Sequence, residues 1–319
     1  MNDQQANKSI TVAVVQVASQ PGRVSANQQH ALPFIETAVS QGAQLVILPE
    51  LFASGYIPNQ TIWQYGETLD GPTVTWLRQT AARLGIHLGA GFVETAGNDF
   101  YNSFALATPD GELAGCARKN KAETYCFKHG NGRHLIETAL GKIGVGICAD
   151  NHFTAFLDLM QNSGIDLHLM PHASPRPYKT SRTVSLADIE SARQKATAVP
   201  LLYARTLGVP VLFANPVGDL QPMSGLLGRF MTPELFRLQG QSCIVDSNGT
   251  LHGPLTAEEA VLVAEVRLGP VRKQNNQPPD YDGWLHPGSK LTRKALLPLD
   301  TILGQINYAW KKHCVRRNL

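Results

Sequence analysis

The chain has 319 residues, 43% apolar and 17% charged, which excludes a disordered protein and allows a large core without disulfide or metal staples. Its 28 basic and 25 acidic residues leave a net charge of +3, giving no electrostatic reason to expect nucleic acid or an anionic membrane as partner. No apolar run approaches the ~18 residues of a membrane span, and five cysteines without a CxxC pair make neither a disulfide framework nor a zinc site.

Residues 10–18 (ITVAVVQVA) form a short β-branched run, the pattern of a strand buried on both faces. Ser25 is placed to cap a helix reaching about residue 41, with Leu32, Ile35, Ala38 and Val39 at helical spacing and Pro33 expected to bend or delay it. Gly42 ends that helix and LVILP at 45–49 reads as a second strand, completing a βαβ unit. A helix over 73–84 and a strand over 87–94 come next, then a hairpin of 100–108 with 112–118 across Pro109-Asp110-Gly111. Further on come a strand (142–148), a helix (153–162), a strand (165–170), a helix over 186–207 interrupted at Pro200, and a strand (209–215). A last hairpin is predicted from 242–245 and 261–266, around the turn at Ser247, Asn248 and Gly249.

The segment SQGAQLVILP at 40–49 is echoed by NSGIDLHLMP at 162–171. Each is a helix end, a glycine and a strand closed by proline, which predicts two similar β-α-β halves forming two sheets that pack together. Residues 272–282, rich in Gln, Asn and Pro, read as an extended connection, and the stretch from Leu291 as partly helical with a solvated basic end at 311–317. The expected division is a polar extension (1–9), one domain (10–270) and a C-terminal extension (271–319). The polar start lacks the apolar segment of a secretory signal, so a reduced, cytoplasmic protein is expected.

Glu50, Lys119 and Cys148 each fall at a strand end, where α/β scaffolds place their chemistry. Singly they mean little, since lone cysteines are usually buried small apolar residues and strand-end Glu and Lys are usually solvated. Their surroundings say more. LPELFASGY at 48–56, residues 111–119 and GKIGVGICAD at 141–150, with Asn27, Gly71-Pro72-Thr73, FKHG at 127–130, Ala204-Arg205, NPVG at 215–218 and GQSCIVDSNG at 240–249, together resemble the carbon–nitrogen hydrolase (nitrilase) superfamily, in order, from about Val12 to Leu268.

That resemblance implies an α/β fold, a four-layer αββα sandwich of two mixed sheets with helices outside. It also implies a Glu-Lys-Cys triad of Glu50, Lys119 and Cys148, with no metal or organic cofactor. Glu123 matches the frame of a second glutamate found in relatives, although only Asn120, Lys121 and Ala122 separate it from Lys119, which leaves Lys121 open as the triad lysine. Amidase relatives often read Cys-Tyr-Asp-x-Arg-Phe-Pro-Glu where this chain has CADNHFTA at 148–155, keeping Asp150 and Phe153 only. Ala149 in place of an aromatic residue should enlarge the pocket, and the absence of Cys-Trp-Glu favours amide or carbamoyl over nitrile hydrolysis. Tyr56, Ala149, Asn151 and His172 are the candidate substrate contacts, while His168, inside a strand, reads as a core histidine.

The chemistry is coherent on its own terms. An amide carbon is a poor electrophile, so hydrolysis gains from a covalent thioester; only a thiolate attacks well, and a free cysteine near pKa ~8.5 needs a base. Glu50 fills that role, Lys119 supplies charge where the oxyanion grows, and the Ala149 N–H is a second donor. The expected partner is a small amide or N-carbamoyl compound, in a homodimer or higher homo-oligomer without nucleic acid or membrane. Two other functions remain open: an acyltransferase using the same thioester, and a non-catalytic binding or scaffold protein on this fold.

Overall fold

The β-branched run near the start forms β1 (Ser9–Gln16), buried throughout from Val12 onward. A computed structural model describes residues 8–132, 134–269, 278–287 and 290–316. In it β1 leads through α1 (Val24–Ser40) to β2 (Leu45–Ile47), then through α2 (Pro72–Leu84) to β3 (His87–Ala96), β4 (Asp99–Ala107) and β5 (Leu113–Arg118). The chain continues through β6 (Leu135–Thr138), β7 (Gly141–Val145), α3 (Thr154–Ser163), β8 (Leu167–Pro171), β9 (Pro175–Pro177), α4 (Leu186–Gln194) and α5 (Ala198–Leu207). Next come β10 (Val211–Ala214), β11 (Val217–Asp219), β12 (Phe236–Gln239), β13 (Cys243–Val245), β14 (Leu251–His252), β15 (Ala260–Arg267) and α6 (Leu297–Arg316).

Two six-stranded sheets result, ordered β15-β1-β2-β3-β4-β5 and β14-β13-β10-β8-β7-β6. Taken from β15 in the first and β6 in the second, the pairings run antiparallel, parallel, parallel, antiparallel, antiparallel in both. β2 and β8, the strands carrying the sequence echo, hold the same place in their sheets. The predicted two halves are therefore present.

Alternate side chains of the strands divide between two buried faces. Val12, Ile47 and Phe104 of one sheet meet Val145, Leu169 and Leu212 of the other in the central layer. On the outer faces, Ile35 and Leu77 of α1 and α2 cover Val46 and Leu88, while Leu157 and Tyr203 of α3 and α5 cover Met170 and Phe213. The architecture is the α/β, four-layer αββα sandwich of two mixed sheets. Among the described residues no helix is long and apolar enough to cross a membrane.

Several expected elements differ. The strands at 242–245 and 261–266 are not hairpin partners: β13 pairs with β10 and β14, whereas β15 crosses to the other sheet and pairs along the whole of β1. The turn at Asn248 and Gly249 instead joins β13 to the two-residue β14, because both candidate partners show the same alternation and only the longer β15 matches the length of β1. The helix predicted over 186–207 breaks before Ala198, not at Pro200, which lies in the first turn of α5 where a backbone donor has no helical partner. Pro33 does not interrupt α1, whose Ala31, Ile35 and Ala38 are buried against the sheet and offset the lost hydrogen bond. Within the C-terminal segment Lys312 pairs with Asp99, and the Tyr308 hydroxyl accepts from Phe100 N at 3.0 Å. Of the connection predicted at 272–282, residues up to 277 lie outside the described ones.

Candidate active site

Residues just past β2, β5, β7 and β8 converge. After β2 the chain turns sharply at Leu51, whose φ is +49°. This brings the backbone of Glu50 and Leu51 so near β3 that a Cβ on Gly91 would lie 2.3 Å from Leu51 N and 2.7 Å from Glu50 Cα. Across the sandwich Glu50 N donates to the carbonyl of His172, 3.2 Å away. These two residues come directly after Pro49 and Pro171, the ends of the echoed segments, so the halves touch at matching positions.

Lys119 comes directly after β5 and is buried, its backbone N–H bonded to the Asn102 carbonyl at 2.8 Å. Its Nζ lies 2.6 Å from Glu50 Oε1 and 2.6 Å from Glu123 Oε1. Lys121 goes elsewhere: its Nζ sits 4.6 Å from the centre of the Phe153 ring and its backbone N–H donates to Asp150. Lys119 is thus the lysine that meets both carboxylates. Asn102 of β4, which sequence reasoning missed, donates to Glu50 Oε1 at 2.7 Å and to Glu123 Oε2 at 3.3 Å. Its only sequence signal is an amide beside Ser103 in a largely apolar strand.

Cys148 opens the short 3-10 turn Cys148–His152 with φ +47°, a left-handed conformation that costs a β-substituted residue about 1–2 kcal/mol and lifts its side chain out of the strand line. Asp150, two residues on, accepts from Ile147 N at 3.3 Å and from Lys121 N at 2.7 Å, tying the cysteine turn to the lysine loop. Ser174 Oγ lies 3.6 Å from Cys148 Sγ.

Burial separates the states of these groups. It raises the Glu50 carboxyl above its ordinary 4.5, with Glu123's charge adding to the effect and Lys119 opposing it. Burial also pushes Glu123 upward, but Lys119's charge and hydrogen bond prevail and hold it low. Lys119, pulled down by burial, is carried well above its usual value by Glu123 and Glu50 and stays protonated. The Cys148 thiol is pushed up to about 12 by burial and then by Glu50, with Lys119 and Ser174 acting against them. The site therefore holds the Cys148 thiol beside a Lys119 ammonium shared by two carboxyl groups, Glu123 held low and Glu50 raised. Glu50 Oε2 is buried and has no hydrogen-bond partner among the described residues.

The expected substrate contacts fare unevenly. Tyr56 borders a narrow cleft that reaches Glu50 between Leu51, Pro216 and Leu238, with its hydroxyl donating to Glu123 at 3.1 Å. Ala149 is half-buried beside Cys148. Asn151 and His172 are buried and committed to protein partners: Asn151 Nδ2 donates to Gly146 O at 2.6 Å, its Oδ1 meets His168 Nε2 at 3.0 Å, and His172 Nδ1 meets Ser174 Oγ at 3.1 Å. Both amide atoms of Asn151 are thereby used, so it supports the site from behind and offers no free group to a substrate. His168 is a core histidine, stacked on Tyr203 with centroids 5.0 Å apart. Among the described residues no group of three or more His, Cys, Asp or Glu side chains is arranged to hold a metal ion.

Comparison with known proteins places this geometry in context. A family model described as carbon–nitrogen hydrolase matches residues 11–276. An aliphatic nitrilase of Sinorhizobium fredii is 28% identical over 283 residues, covering 80% of this chain and 85% of the relative. The N-carbamoylputrescine amidase of Solanum lycopersicum is 27% identical over 286 residues, covering 85% of this chain and 90% of the relative. Among solved structures, a carbon–nitrogen hydrolase from Helicobacter pylori G27 superposes with a TM-score of 0.71 at 22% identity, over 81% of this chain and 89% of that one.

Proposed function

Because the chain belongs to the carbon–nitrogen hydrolase family, we propose that it cleaves a C–N bond in a small linear amide or N-carbamoyl compound through a thioester on Cys148. The observation that carries this reading is the buried Lys119 ammonium held 2.6 Å from both Glu50 and Glu123, with the electrostatic influence of all three reaching the Cys148 sulfur. Glu50 is the base, Lys119 the oxyanion partner, and Glu123 the group that fixes Lys119.

The steps are set by the states of the groups. Glu50 takes the Cys148 proton through its unpartnered Oε2, and the sulfur adds to the carbonyl carbon. Negative charge gathers on the carbonyl oxygen, where Lys119 Nζ and the Ala149 N–H stabilise it. Glu50 then gives its proton to the nitrogen, the C–N bond breaks and the amine departs. Water enters, Glu50 takes one of its protons, and the hydroxide adds to the thioester; the Cys148–carbon bond breaks, the departing sulfur takes the proton back from Glu50, and a carboxylic acid, the thiol and the Glu50 carboxylate are left. A carboxyl raised by burial suits this double duty as base and acid.

Glu50→Gln supplies the test. Turnover of an unactivated amide should fall by about 10²–10⁴-fold, the usual loss on removing an acid–base group. With an activated ester, whose leaving group needs no proton, slow acylation should persist and deacylation should stall, so an adduct of acyl mass accumulates on Cys148. Normal amide turnover by Glu50→Gln would overturn the assignment. An amine or alcohol competing with water for the adduct, tracked by product mass, separates hydrolysis from acyl transfer.

A further inference from the structure

Beyond the triad, a directed hydrogen-bond chain ends at the nucleophile. Gly146 is what lets it form: a Cβ there would lie 2.0 Å from Asn151 Oδ1. The carbonyl of Gly146 can only accept, so the Asn151 atom 2.6 Å from it must be the nitrogen, which fixes the amide orientation. The same nitrogen lies 3.2 Å from His172 Nε2, closer than the 3.4 Å to its remaining neighbour, the Cys148 carbonyl. A nitrogen that can only donate requires Nε2 to be the accepting, unprotonated atom of the ring. The proton of a neutral His172 then resides on Nδ1 and is given to Ser174 Oγ, 3.1 Å away. Ser174 has its acceptor side occupied and its own O–H left to give. The sulfur of Cys148 lies 3.6 Å from that hydroxyl.

We propose that Ser174 is a further catalytic residue, a hydroxyl donor aimed at Cys148 Sγ by the Gly146–Asn151–His172 chain, which stabilises the thiolate whenever it forms or leaves. The proposal rests on the reading of Cys148 as nucleophile. Ser174 transfers no proton: the thiol proton goes to Glu50, and Ser174 keeps its own while hydrogen-bonding to the charged sulfur. Asn151 and His172 are positioning residues, and Ser174 N is itself held by Asn215 Oδ1 at 2.8 Å. The neutrality that the chain requires of His172 agrees with its surroundings, since burial above all, and then the positive charges of Lys119 and Arg176, keep its pKa well below 6.5. At the sulfur the other titratable groups are Glu50 and Tyr56 after β2 and Lys119 and Glu123 after β5. None of them is altered by a change at Ser174.

The test reads the sulfur directly. Iodoacetamide labelling of Cys148, located by peptide mapping, is measured as a function of pH for the full chain and for Ser174→Ala, Ser174→Val and Ser174→Thr. Losing a hydrogen bond to a charged sulfur should displace the labelling profile upward by about one pH unit in the Ala and Val variants, roughly a tenfold slower reaction at neutral pH. Ser174→Thr, equal in size to Val but keeping the hydroxyl, should match the unaltered protein. Ala and Val variants that label along the unaltered profile would overturn the proposal, as would a Thr variant as slow as Val. If Ser174→Val does not fold, the Ala variant carries the comparison. Labelling needs no substrate, so the result stands apart from the proposed hydrolysis, whose own failure would show as amide turnover surviving Cys148→Ala.

Discussion

At the scale of single residues, burial decides which group gives up a proton and which keeps it. In the proposed mechanism Glu50 must be ionised to take the thiol proton, so kcat/KM should rise with pH through an apparent pKa above the ordinary 4.5. That limb belongs to the coupled Glu50–Glu123 pair and not to either carboxyl alone. Asn102 donates to both carboxylates and favours their charged forms. Asn102→Ala should accordingly move the limb to higher pH and lower the plateau, measured as kcat/KM between pH 4 and 9. Lys119→Met tests the other side of the balance. With the ammonium gone, two buried carboxylates face each other and their folded-state pKa values rise. Folding is then favoured while both are protonated, and stability is lost as pH climbs through the raised values. A loss of about 3 kcal/mol is expected at pH 8, the scale of breaking a buried pair, with most of it recovered near pH 5. Denaturant melts at the two pH values check the sign.

At the scale of elements, glycines and turns set the reach of these side chains. Gly91 in β3 is the clearest case, since any side chain there collides with the backbone of Glu50 and Leu51. Gly91→Ala should cost about 1–3 kcal/mol through overpacking and displace Glu50, lowering kcat far more than an equally destabilising change in the outer layers. Paired thermal melts and steady-state kinetics distinguish those outcomes. The strand ends that bear Glu50, Lys119 and Cys148 were legible because buried β-branched runs and the turns after them leave a strong local pattern. The pairing of β13 and β15 was not, because alternation says that a segment is a strand without saying which sheet receives it. Asn102 and Ser174 were illegible for another reason: a lone polar residue acquires meaning only when the fold brings a carboxylate or a sulfur beside it. The same holds for Asn151, expected as a substrate contact, whose side chain turns back to Gly146 and the histidines.

At the scale of the whole molecule, the two similar halves supply the sandwich, and the C-terminal helix α6 closes over one edge of the site. It lies against the 3-10 turn Gln60–Tyr65, the start of β4 and the loop that carries Glu123. Asn307 Oδ1 accepts from Gln60 Nε2 at 2.9 Å, and Tyr308 meets the Trp63 ring edge-on, with centroids 5.7 Å apart. The helix comes close because position 304 is glycine: a Cβ there would stand 2.0 Å from Thr124 Oγ1, one residue beyond Glu123. Among the described residues none of the three sandwich-layer clusters of buried side chains includes a residue of α6, so the helix acts on the loop rather than on the sandwich core. Gly304→Leu should therefore leave the main melting transition nearly in place while forcing α6 and the 123–126 loop apart. Amide exchange should rise in 123–126 and in the last turns of α6, and kcat/KM should fall about tenfold or more, as expected when a positioned group shifts by a fraction of an ångström to an ångström. Lys119, with Glu50 still 2.6 Å away, would keep its charge but lose its second anchor. Unchanged exchange in the loop together with unchanged kcat/KM would show that α6 covers the Glu123 segment without holding it.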